Sequence, residues 1–314
     1  MDLEKSILLH QTAFLEGLNK QGKSFNTLKN YKTDLSCFNQ FIRDLGPSLS
    51  ELGIPLIEEY GAHLYNKYDS NNSRRRRVQT LRAFCDYLIE RGVLKSNPVK
   101  ALTPSPKFHD IPKPCKLTDI KALWDHLVKE TQSEKNLQRL IGKRNQIFIL
   151  LIYGSGLKVS DLEFLKVEDI IQGDVPRVLV RPLKRDPYSI PLPYAFNSVF
   201  ISYLSELKIN TDAQHQEFNQ LLFNANPYKI ISGGLSPRGL EKTFEEFKNK
   251  LKINITPKNL RQSCIFKWLH QEHGEDLVKE WMGVAPSYSL KPYTDLMEKN
   301  YFDEEFLEDF LMLH

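Results

Sequence analysis

Four short stretches of the sequence carry residue types suited to chemistry on a phosphodiester. They are the TPKNLRQS motif at 256–263 with Arg261, the GSGLKVSDL motif at 154–162, a basic stretch at 177–193, and a lone tyrosine, Tyr293. Cleavage of a phosphodiester by a tyrosine needs a nucleophile, cationic donors to the non-bridging oxygens and a general acid for the leaving 5′-hydroxyl. Tyrosine, arginine and lysine meet those needs without a metal. The fold must bring the four stretches together for this chemistry to occur.

The first hundred or so residues predict a bundle of short amphipathic helices. Apolar residues recur at helical spacing over 3–18, 27–45, a segment after Pro55 and a segment that begins near Asn71. Each helix presents one apolar face, so these faces must be buried against one another. The first part of the chain is therefore expected to be an all-helical domain.

A proline-rich connector marks the start of a second domain. Five prolines between 98 and 114 exclude a continuous helix and favour an extended connector. Alternating apolar and polar residues at 177–183 and 188–192 predict a β-hairpin. Helices are predicted at 118–129, 142–153, 159–165, 197–207, 236–251, 257–270, 276–281 and 304–313. The fold class is therefore mainly α with one small antiparallel β-sheet.

Composition favours a cytoplasmic protein. No apolar run approaches the roughly 18 residues that span a bilayer, and the first ten residues are too charged for a signal peptide. Cys37, Cys85, Cys115 and Cys264 lie far apart and lack metal-ligand spacing, which argues against a zinc site or a disulfide framework. We therefore expect reduced structural cysteines, no metal and no cofactor.

Charge is distributed unevenly along the chain. Residues 1–107 carry 16 basic and 11 acidic side chains, whereas residues 301–314 carry five acidic side chains and no lysine or arginine. A basic body suits a polyanionic partner, and an acidic, aromatic tail suits a protein partner. The tail is expected to form a helix that binds another protein chain or its own domain.

The strongest charge cluster is a run of four arginines at the start of the fourth predicted helix. Cations near a helix N-terminus oppose the helix dipole unless an anion compensates them, and a DNA backbone is such an anion. A solvated charged face is the alternative interpretation. The candidate DNA contacts of this domain are Arg74, Arg75, Arg76, Arg77, Lys29 and Lys32.

Taken together, these motifs resemble the tyrosine recombinases, the family of the phage integrases and the Xer proteins. The resemblance covers nearly the whole chain, because a helical bundle, a proline-rich linker and the motifs described above follow in the family's order. It implies a helical, SAM-like core-binding domain at 1–103, a linker at 104–116, a catalytic domain at 117–300 and an interaction helix at 301–314. In the family, the two domains clamp DNA from opposite sides.

The resemblance also implies roles for individual residues. Tyr293 stands nine residues after Val284 and precedes a threonine, which is the position of the family's nucleophile. Arg261 matches the arginine of the H-x-L-R motif, and Lys258 takes the place of its histidine. These three residues are therefore predicted to act on one phosphate.

A basic residue of the hairpin is predicted to be the general acid. Lys184 matches the lysine that protonates the leaving oxygen in the family. The turn is one residue shorter than usual, so Lys184 and Arg185 remain alternatives for this role, and Arg185 is also a candidate DNA contact.

Two positions depart from the family pattern. Lys158 stands where the family has its first arginine, and Val284 stands where it has histidine or tryptophan. Lysine lacks the planar fork with which arginine grips two phosphate oxygens, and valine donates no hydrogen bond. Asp161 keeps the position of the supporting carboxylate, and Trp281 is a candidate to fill the space beside Val284.

These observations predict a DNA-binding protein of the recombinase family, located in the cytoplasm with the nucleoid. It is expected to break and rejoin double-stranded DNA at specific sites through a 3′-phosphotyrosine, with weak or conditional catalysis, as a homo-oligomer held by its C-terminal helix. The alternative is an inactive relative that serves as an architectural or regulatory DNA-binding factor. A helical protein that binds no DNA is the third hypothesis.

Overall fold

A computed structural model describes residues 3–45, 52–102, 111–182, 186–213, 217–225 and 231–299, with side chains from Ile7 onward. Within these ranges, no helix is both long and apolar enough to cross a membrane. The chain forms two compact units, residues 1–109 and 110–314, and each has its own hydrophobic core. Lys184, Arg185 and the predicted helix at 304–313 lie outside the described residues.

The described part of the first unit is a helical bundle, as predicted. Its α-helices are α1 Leu3–Lys20, α2 Phe25–Leu45, α3 Ile54–Lys67 and α4 Asn71–Glu90. A 3-10 turn, Pro98–Ala101, packs against α3 and α4. Ser70 begins α4 by accepting a hydrogen bond from the backbone N–H of Ser73 at 3.3 Å.

Aromatic rings fill the core of the first unit. Phe38, Tyr60 and Phe84 are buried, and the rings of Phe38 and Tyr60 meet edge to face with their centroids 4.9 Å apart. Phe14 of α1 packs on Phe84 of α4 at 5.5 Å. Burial of each such side chain stabilises the fold by about 1.5–3 kcal/mol. The apolar faces predicted for these helices therefore meet in one core.

Half of the arginine run is tied into this fold by a buried carboxylate. Arg76 pairs with Asp34 of α2 at 2.8 Å, and Arg77 approaches the same carboxylate at 3.9 Å. Thr80 donates a hydrogen bond to the other oxygen of Asp34 at 3.0 Å. Burial raises the pKa of Asp34, and the two guanidinium groups and the threonine oppose that shift. Arg76 and Arg77 therefore serve the packing of α2 on α4.

The arginine run is also stacked on tyrosine rings. The guanidinium of Arg74 lies 4.5 Å from the ring centroid of Tyr65, and that of Arg77 lies 3.7 Å from the ring centroid of Tyr68. The arginines are thus held in place by cation–π contacts worth about 0.5–1 kcal/mol each at exposed sites. Lys29 and Lys32 of α2, by contrast, are exposed.

The described part of the second unit combines helices with one small sheet, which confirms the predicted fold class. The helices are α5 Leu117–Thr131, α6 Asn136–Ile149, α7 Val159–Leu162, α8 Phe196–Ala213, α9 Pro237–Leu251, α10 Pro257–His270, α11 Glu275–Met282 and α12 Lys291–Glu298. The strands are β1 Ile170–Ile171, β2 Arg177–Val180 and β3 Tyr188–Pro191.

The sheet is antiparallel, with strand order β1-β2-β3. Val178 pairs with Ile190 across the predicted hairpin and with Ile170 of β1. All three side chains are buried, because alternate residues of each strand face the core. The hairpin prediction is therefore correct, and β1 adds a strand that the sequence did not reveal.

Helix α6 begins six residues before the predicted start at 142 and leads into a buried π-helical turn. Gly142 was interpreted as the start of the helix, but it lies inside it. A side chain at this position would place its Cβ 2.9 Å from the Cβ of Glu130, so glycine permits the close approach of α5 to α6. The π-turn Leu150–Gly154 then carries the chain to the GSGLKVSDL motif.

The segment that carries Tyr293 is helical, and this helix was not among those predicted from the sequence. Helix α11 ends at Gly283, whose φ of +60° lies in the left-handed region that suits glycine. Helix α12 then begins with Pro292 in its first turn, where a missing N–H costs nothing. The carbonyl of Leu290 accepts hydrogen bonds from the N–H groups of Tyr293 and Thr294.

Candidate active site

Three chain segments meet at the candidate site of the second unit. They are the turn at Gly156, the first half of α10 and the turn at Gly283. The first segment follows the π-turn and the third follows α11. The site is therefore assembled from parts of the chain that are more than a hundred residues apart, as the sequence motifs required.

A capping box fixes the start of α10. Thr256 accepts a hydrogen bond from the N–H of Asn259 at 3.2 Å, and the Asn259 side chain accepts one from the N–H of Thr256 at 2.6 Å. Pro257 occupies the first helical position, where its fixed φ suits the helix. Arg261 consequently stands at a defined point in the second turn.

Arg261 is held by two backbone carbonyls from different segments. Its Nε donates to the oxygen of Gly156 at 2.6 Å, and its Nη2 donates to the oxygen of Met282 at 2.7 Å. These two bonds fix the plane of the guanidinium. Within the described part of the chain, Nη1 donates to no protein acceptor, so it is the nitrogen left to face a ligand.

Both turns that hold the cations depend on glycine. Gly156 has φ of +61° and Gly283 has φ of +60°, a backbone conformation that costs other residues about 1–2 kcal/mol. The indole of Trp268 also covers Gly156, so a Cβ at that position would lie 2.8 Å from the ring. The carbonyls are therefore positioned by left-handed turns, one of them packed under an aromatic ring.

Lys158 lies against the same turns as Arg261. Its Nζ donates to the carbonyl of Gly283 at 3.3 Å, one residue from the carbonyl that Arg261 uses. Asp161 accepts a hydrogen bond from the backbone N–H of Lys158 at 3.1 Å. The carboxylate thus supports the backbone at the start of α7, and it holds Lys158 by its main chain.

Tyr293 is buried beside α10, the helix that carries Arg261, with an exposed fraction of 6%. Its ring packs on Phe266 of α10, with the centroids 5.1 Å apart. Burial raises the pKa of the Tyr293 hydroxyl to about 12, and Tyr288 adds to the rise, whereas Arg261 and a hydrogen bond with Gln262 oppose it. The phenol is therefore protonated at neutral pH and lies within electrostatic reach of Arg261.

The two supporting positions have different surroundings. Val284 is partly buried and packs on the core of the second unit. Trp281 is buried against Trp268 at a centroid distance of 5.1 Å and against His273 at 5.0 Å. The indole of Trp281 therefore supports the ring that covers Gly156.

The remaining predicted residues are on the surface or outside the described ranges. Lys258 is exposed one turn before Arg261 on α10. Lys184 and Arg185 lie outside the described residues, so the general acid stays a prediction. Among the described residues, no group of three or more His, Cys, Asp and Glu side chains is placed to hold a metal ion.

Sequence reasoning missed four residues that shape the site. Gly156 and Gly283 supply or position the carbonyls, and Gln262 and Tyr288 act on the Tyr293 hydroxyl. Gly156 stands inside the GSGLKVSDL motif, and Gly283 directly precedes Val284. Glycine at these positions is the sequence signal of a left-handed turn. Gln262 directly follows Arg261, but the orientation of its side-chain amide depends on Lys113, which is far away in the sequence and donates its N–H to Oε1.

We predict that Gly156→Ala damages both the stability and the site. The left-handed φ and the contact with Trp268 should together lower the free energy of unfolding by about 2–4 kcal/mol. Gly22→Ala is the matched control, because Gly22 has φ of +72° but no atom within 4 Å of its Cβ position. Urea denaturation measures the difference. Equal losses in the two variants would show that Trp268 does not restrict this turn.

The chain is similar to known proteins along most of its length. Residues 12–92 match the model of the family described as phage integrase, N-terminal SAM-like domain. The tyrosine recombinase XerC of Oceanobacillus iheyensis is 24% identical, with 96% of this chain and 95% of the relative covered. The tyrosine recombinase XerD of Rhizobium meliloti is 25% identical, with coverage of 93% and 92%. These relatives are thus similar over almost their full length.

Solved structures of similar fold include two DNA complexes. The XerH site-specific recombinase in its post-cleavage complex with palindromic difH substrate has a TM-score of 0.67 at 16% identity, covering 91% of this chain and 81% of that one. A lambda integrase (75-356) dimer bound to a COC′ core site has a TM-score of 0.61 at 17% identity, covering 96% and 98%. The fold of the chain is shared with both.

Proposed function

We propose that the chain is a member of the tyrosine recombinase family and carries out site-specific DNA recombination, with Tyr293 as the nucleophile. Its relatives are named tyrosine recombinases, and the structures of similar fold are bound to DNA. The single observation that carries the assignment of Tyr293 is its burial against Phe266 of α10, the helix that carries Arg261.

The proposed reaction exchanges one ester bond for another. The Oη of Tyr293 attacks the phosphorus, the bond from phosphorus to the 5′ oxygen breaks, and a 3′-phosphotyrosyl link forms. The phenol proton passes to water, and the 5′ oxygen takes up a proton from the general acid, so one proton is released and one is taken up. Attack by the 5′-hydroxyl of another strand reverses these steps and rejoins the DNA. The reaction needs no oxidant, reductant or metal.

Each residue of the proposed site has a distinct task. Arg261 donates Nη1 to a non-bridging oxygen, because its other nitrogens are committed to the carbonyls of Gly156 and Met282. Lys158 contributes a second positive charge from the turn at Gly283. Lys258 supports the charge from the surface of α10, Asp161 supports Lys158, and Lys184 or Arg185 protonates the leaving oxygen.

We expect the catalysis of this site to be slow. Lys158 offers a point charge where a guanidinium would grip two oxygens, and Val284 offers no donor at all. Loss of one well-aimed donor to a transition-state oxygen commonly costs about a hundredfold to a thousandfold in rate. The substitution at Lys158 is therefore the main expected cause of weak activity.

Lys158→Arg tests this explanation and the proposed function together. We expect at least a tenfold faster formation of a covalent protein–DNA adduct, because a forked donor replaces a point charge. The assay uses nicked duplexes from the genomic neighbourhood of the gene. The short fragment with the free 5′-hydroxyl diffuses away after cleavage and leaves the adduct trapped. Gels under denaturing conditions measure the adduct.

Lys166→Arg is the matched control, since Lys166 lies on the surface after α7. It should leave the rate unchanged. A Lys158→Arg variant that forms adduct no faster than the wild type would contradict the role of Lys158. No adduct in either protein, with DNA binding intact, would favour the second candidate function, that of an architectural or regulatory DNA-binding factor, which rests on Lys158 and Val284.

The first unit is proposed to bind the DNA backbone. Arg76 and Arg77 are engaged with Asp34, whereas Lys29 and Lys32 are exposed on α2. Arg74 and Arg75 belong to the same proposed surface. Neutralisation of phosphates by these cations releases counterions, so the affinity should fall steeply with salt concentration.

A double variant, Lys29→Ala with Lys32→Ala, should reduce the salt dependence of DNA binding. If each lysine contacts one phosphate, the slope of log affinity against log salt should become shallower by about two. Fluorescence anisotropy on a labelled duplex at several salt concentrations measures the slope. Lys242→Ala with Lys248→Ala removes the same charge from the surface of α9 and serves as control. Equal slopes in both variants would contradict the assignment.

Assembly and location follow from the same proposal. The structures of similar fold include a dimer on DNA, which supports an oligomer on double-stranded DNA for this chain as well. The acidic, aromatic residues 301–314 are proposed to form the helix that docks on a neighbouring protomer. A DNA-bound protein of this kind is expected with the nucleoid in the cytoplasm.

A further inference from the structure

The last residues of the predicted linker form a strap on α10, the helix that carries Arg261. The strap is the tripeptide from Lys113 to Cys115. The N–H of Lys113 donates to Oε1 of Gln262 at 3.0 Å, and the N–H of Cys115 donates to the hydroxyl of Ser263 at 2.9 Å. Cys115, Gln262 and Ser263 are buried, and a hydrogen bond is stronger in such a low-dielectric environment than in water. The strap is therefore firmly bound to the second turn of α10.

The thiol of Cys115 extends the strap to the first turn of the helix. Its Sγ donates to Oδ1 of Asn259 at 2.9 Å. The same oxygen accepts the capping-box bond from the N–H of Thr256, and the Asn259 amide nitrogen donates to the carbonyl of Asn254 at 2.9 Å. The hydroxyl of Ser263 donates to the carbonyl of Asn259 at 3.0 Å. The Asn259 side chain therefore joins the strap, the N-cap and the loop before α10.

The strap and the two turns of the site bind opposite faces of α10. Successive residues of an α-helix are about 100° apart around its axis, so Asn259 and Ser263 both lie roughly 160° away from Arg261. On its own face, Arg261 donates to the carbonyls of Gly156 and Met282 at 2.6 and 2.7 Å. A rotation of α10 that loosens the strap must therefore also move the guanidinium relative to these carbonyls. Nη1, the nitrogen left to face a ligand, moves with it.

We propose that Asn259 and Ser263 are positioning residues for Arg261, and that Cys115 sets both of them from the opposite face of the helix. This inference rests on the proposed contact of Arg261 with a phosphate oxygen. The strap resists rotation of the first two turns of α10, so Nη1 keeps the direction that the two carbonyls define. Residues of the linker thereby contribute to the alignment of the cation that is proposed to bind the phosphate.

The sequence of the strap suits this task. Lys113 stands between Pro112 and Pro114, and a residue before proline favours an extended backbone. In an extended segment every second residue faces the same side, so the N–H groups of Lys113 and Cys115 can both reach α10. Pro114, between them, has no N–H to leave unsatisfied. The backbone donors of the strap are therefore those that find an acceptor on α10.

Two variants weaken the strap, and a third restores it. Ser263→Ala removes the acceptor of the Cys115 N–H, and Cys115→Ala removes the thiol that donates to Asn259. Cys115→Ser keeps a donor at that position and is the rescue variant. Tyr203→Phe is the matched control, because it removes one buried hydrogen bond of the second unit, from the Tyr203 hydroxyl to the carbonyl of Leu221 at 2.7 Å.

The Nε–H of Arg261 reports on the strap without DNA. NMR of protein with isotope-labelled arginine follows the exchange of this proton with solvent, and Arg261→Lys assigns the signal. We expect about tenfold faster exchange in Ser263→Ala and Cys115→Ala, because a helix that has lost one hydrogen bond releases the carbonyl of Gly156 more often. Cys115→Ser should match the wild type. Unchanged exchange in the two weakened variants would overturn the proposal, and so would an equal acceleration in Tyr203→Phe.

The adduct assay, made in parallel, tests the consequence for the reaction. Ser263→Ala should slow adduct formation on a saturating nicked duplex by about tenfold and leave the DNA affinity unchanged. A methylphosphonate at the scissile position replaces one charged oxygen with a methyl group, so the alignment of Arg261 should matter less there. On that substrate the loss should shrink to about threefold or below. Equal losses on both substrates would indicate general damage and contradict the proposal.

The two readouts separate this proposal from the proposed function. If the wild type forms no adduct, the proposed function fails, and the exchange of the Arg261 Nε–H still decides whether the strap positions the guanidinium. If Ser263→Ala does not fold, Cys115→Ala and its rescue by Cys115→Ser decide the same question. A Cys115→Ser variant that behaves like Cys115→Ala in both readouts would contradict the role of the thiol hydrogen bond.

Discussion

Tyr293→Phe should abolish the covalent protein–DNA adduct and leave the fold intact. The substitution removes the oxygen that we propose attacks phosphorus, and no other atom of the side chain can form the link. The ring is retained, so its packing on Phe266 at 5.1 Å and its burial should persist. We therefore expect no detectable adduct, with unchanged DNA affinity and a midpoint of unfolding close to that of the wild type.

Tyr288→Phe is the matched control for this experiment. Tyr288 lies five residues before Tyr293, has an exposed fraction of 40% and also faces the site. Its loss should leave the adduct in place. Denaturing gels with a 5′-labelled nicked strand measure both variants, and peptide mapping identifies the modified tyrosine. An adduct that persists in Tyr293→Phe but disappears in Tyr288→Phe would move the nucleophile to Tyr288.

The second large effect is expected from Arg261→Lys. Lysine keeps the positive charge but cannot donate to the carbonyls of Gly156 and Met282 and to a phosphate at the same time. We expect adduct formation to slow by about a hundredfold to a thousandfold. Two carbonyls also lose their donor, which should lower the free energy of unfolding by about 1–3 kcal/mol.

Single-turnover kinetics on the nicked substrate measure the rate, and urea denaturation measures the stability. Arg238→Lys is the control, because Arg238 is exposed on α9 and pairs with Glu241 at 3.4 Å. It should change neither quantity. A rate for Arg261→Lys within threefold of the wild type would show that the planar fork is not used in the reaction. A stability loss without a rate loss would confine Arg261 to a structural task.

Much of the fold could be predicted because its signals are local. Helical periodicity and the alternation in the hairpin gave the class of the fold and most of its elements correctly. Strand β1 was missed because two residues, Ile170 and Ile171, are too short for alternation to show. The start of α6 was wrong because Gly142 reads locally as a boundary, whereas it serves the contact with Glu130 of another helix.

The residues of the candidate site were assigned by resemblance, whereas its geometry could not be predicted from the sequence. Arg261, Lys158 and Tyr293 match positions in the motifs of the tyrosine recombinases, and their roles stay predictions. Their partners are backbone carbonyls, whose directions depend on the left-handed turns at Gly156 and Gly283 and not on side-chain type. A sequence shows which side chains are present, and it carries little information about where a carbonyl points.

The arginine run shows that the partners of charged residues are equally hard to predict from sequence. Its four neighbouring arginines were interpreted as one DNA-binding surface, because no partner for them lies close by in the sequence. Asp34, on another helix, engages Arg76 and Arg77, and tyrosine rings engage two members of the run. A compensating anion was expected from DNA, and for half of the run the protein supplies its own.

The pairing of Arg261 with Met282 makes the segment after α10 a requirement for the site. During synthesis, α10 leaves the ribosome before α11, Gly283 and Tyr293 do. A nascent or truncated chain that stops after α10 lacks the Met282 carbonyl that helps to align Arg261, and it lacks the tyrosine. If Tyr293 is the nucleophile as proposed, such fragments cannot cut DNA, so strand cleavage requires synthesis to continue beyond Tyr293.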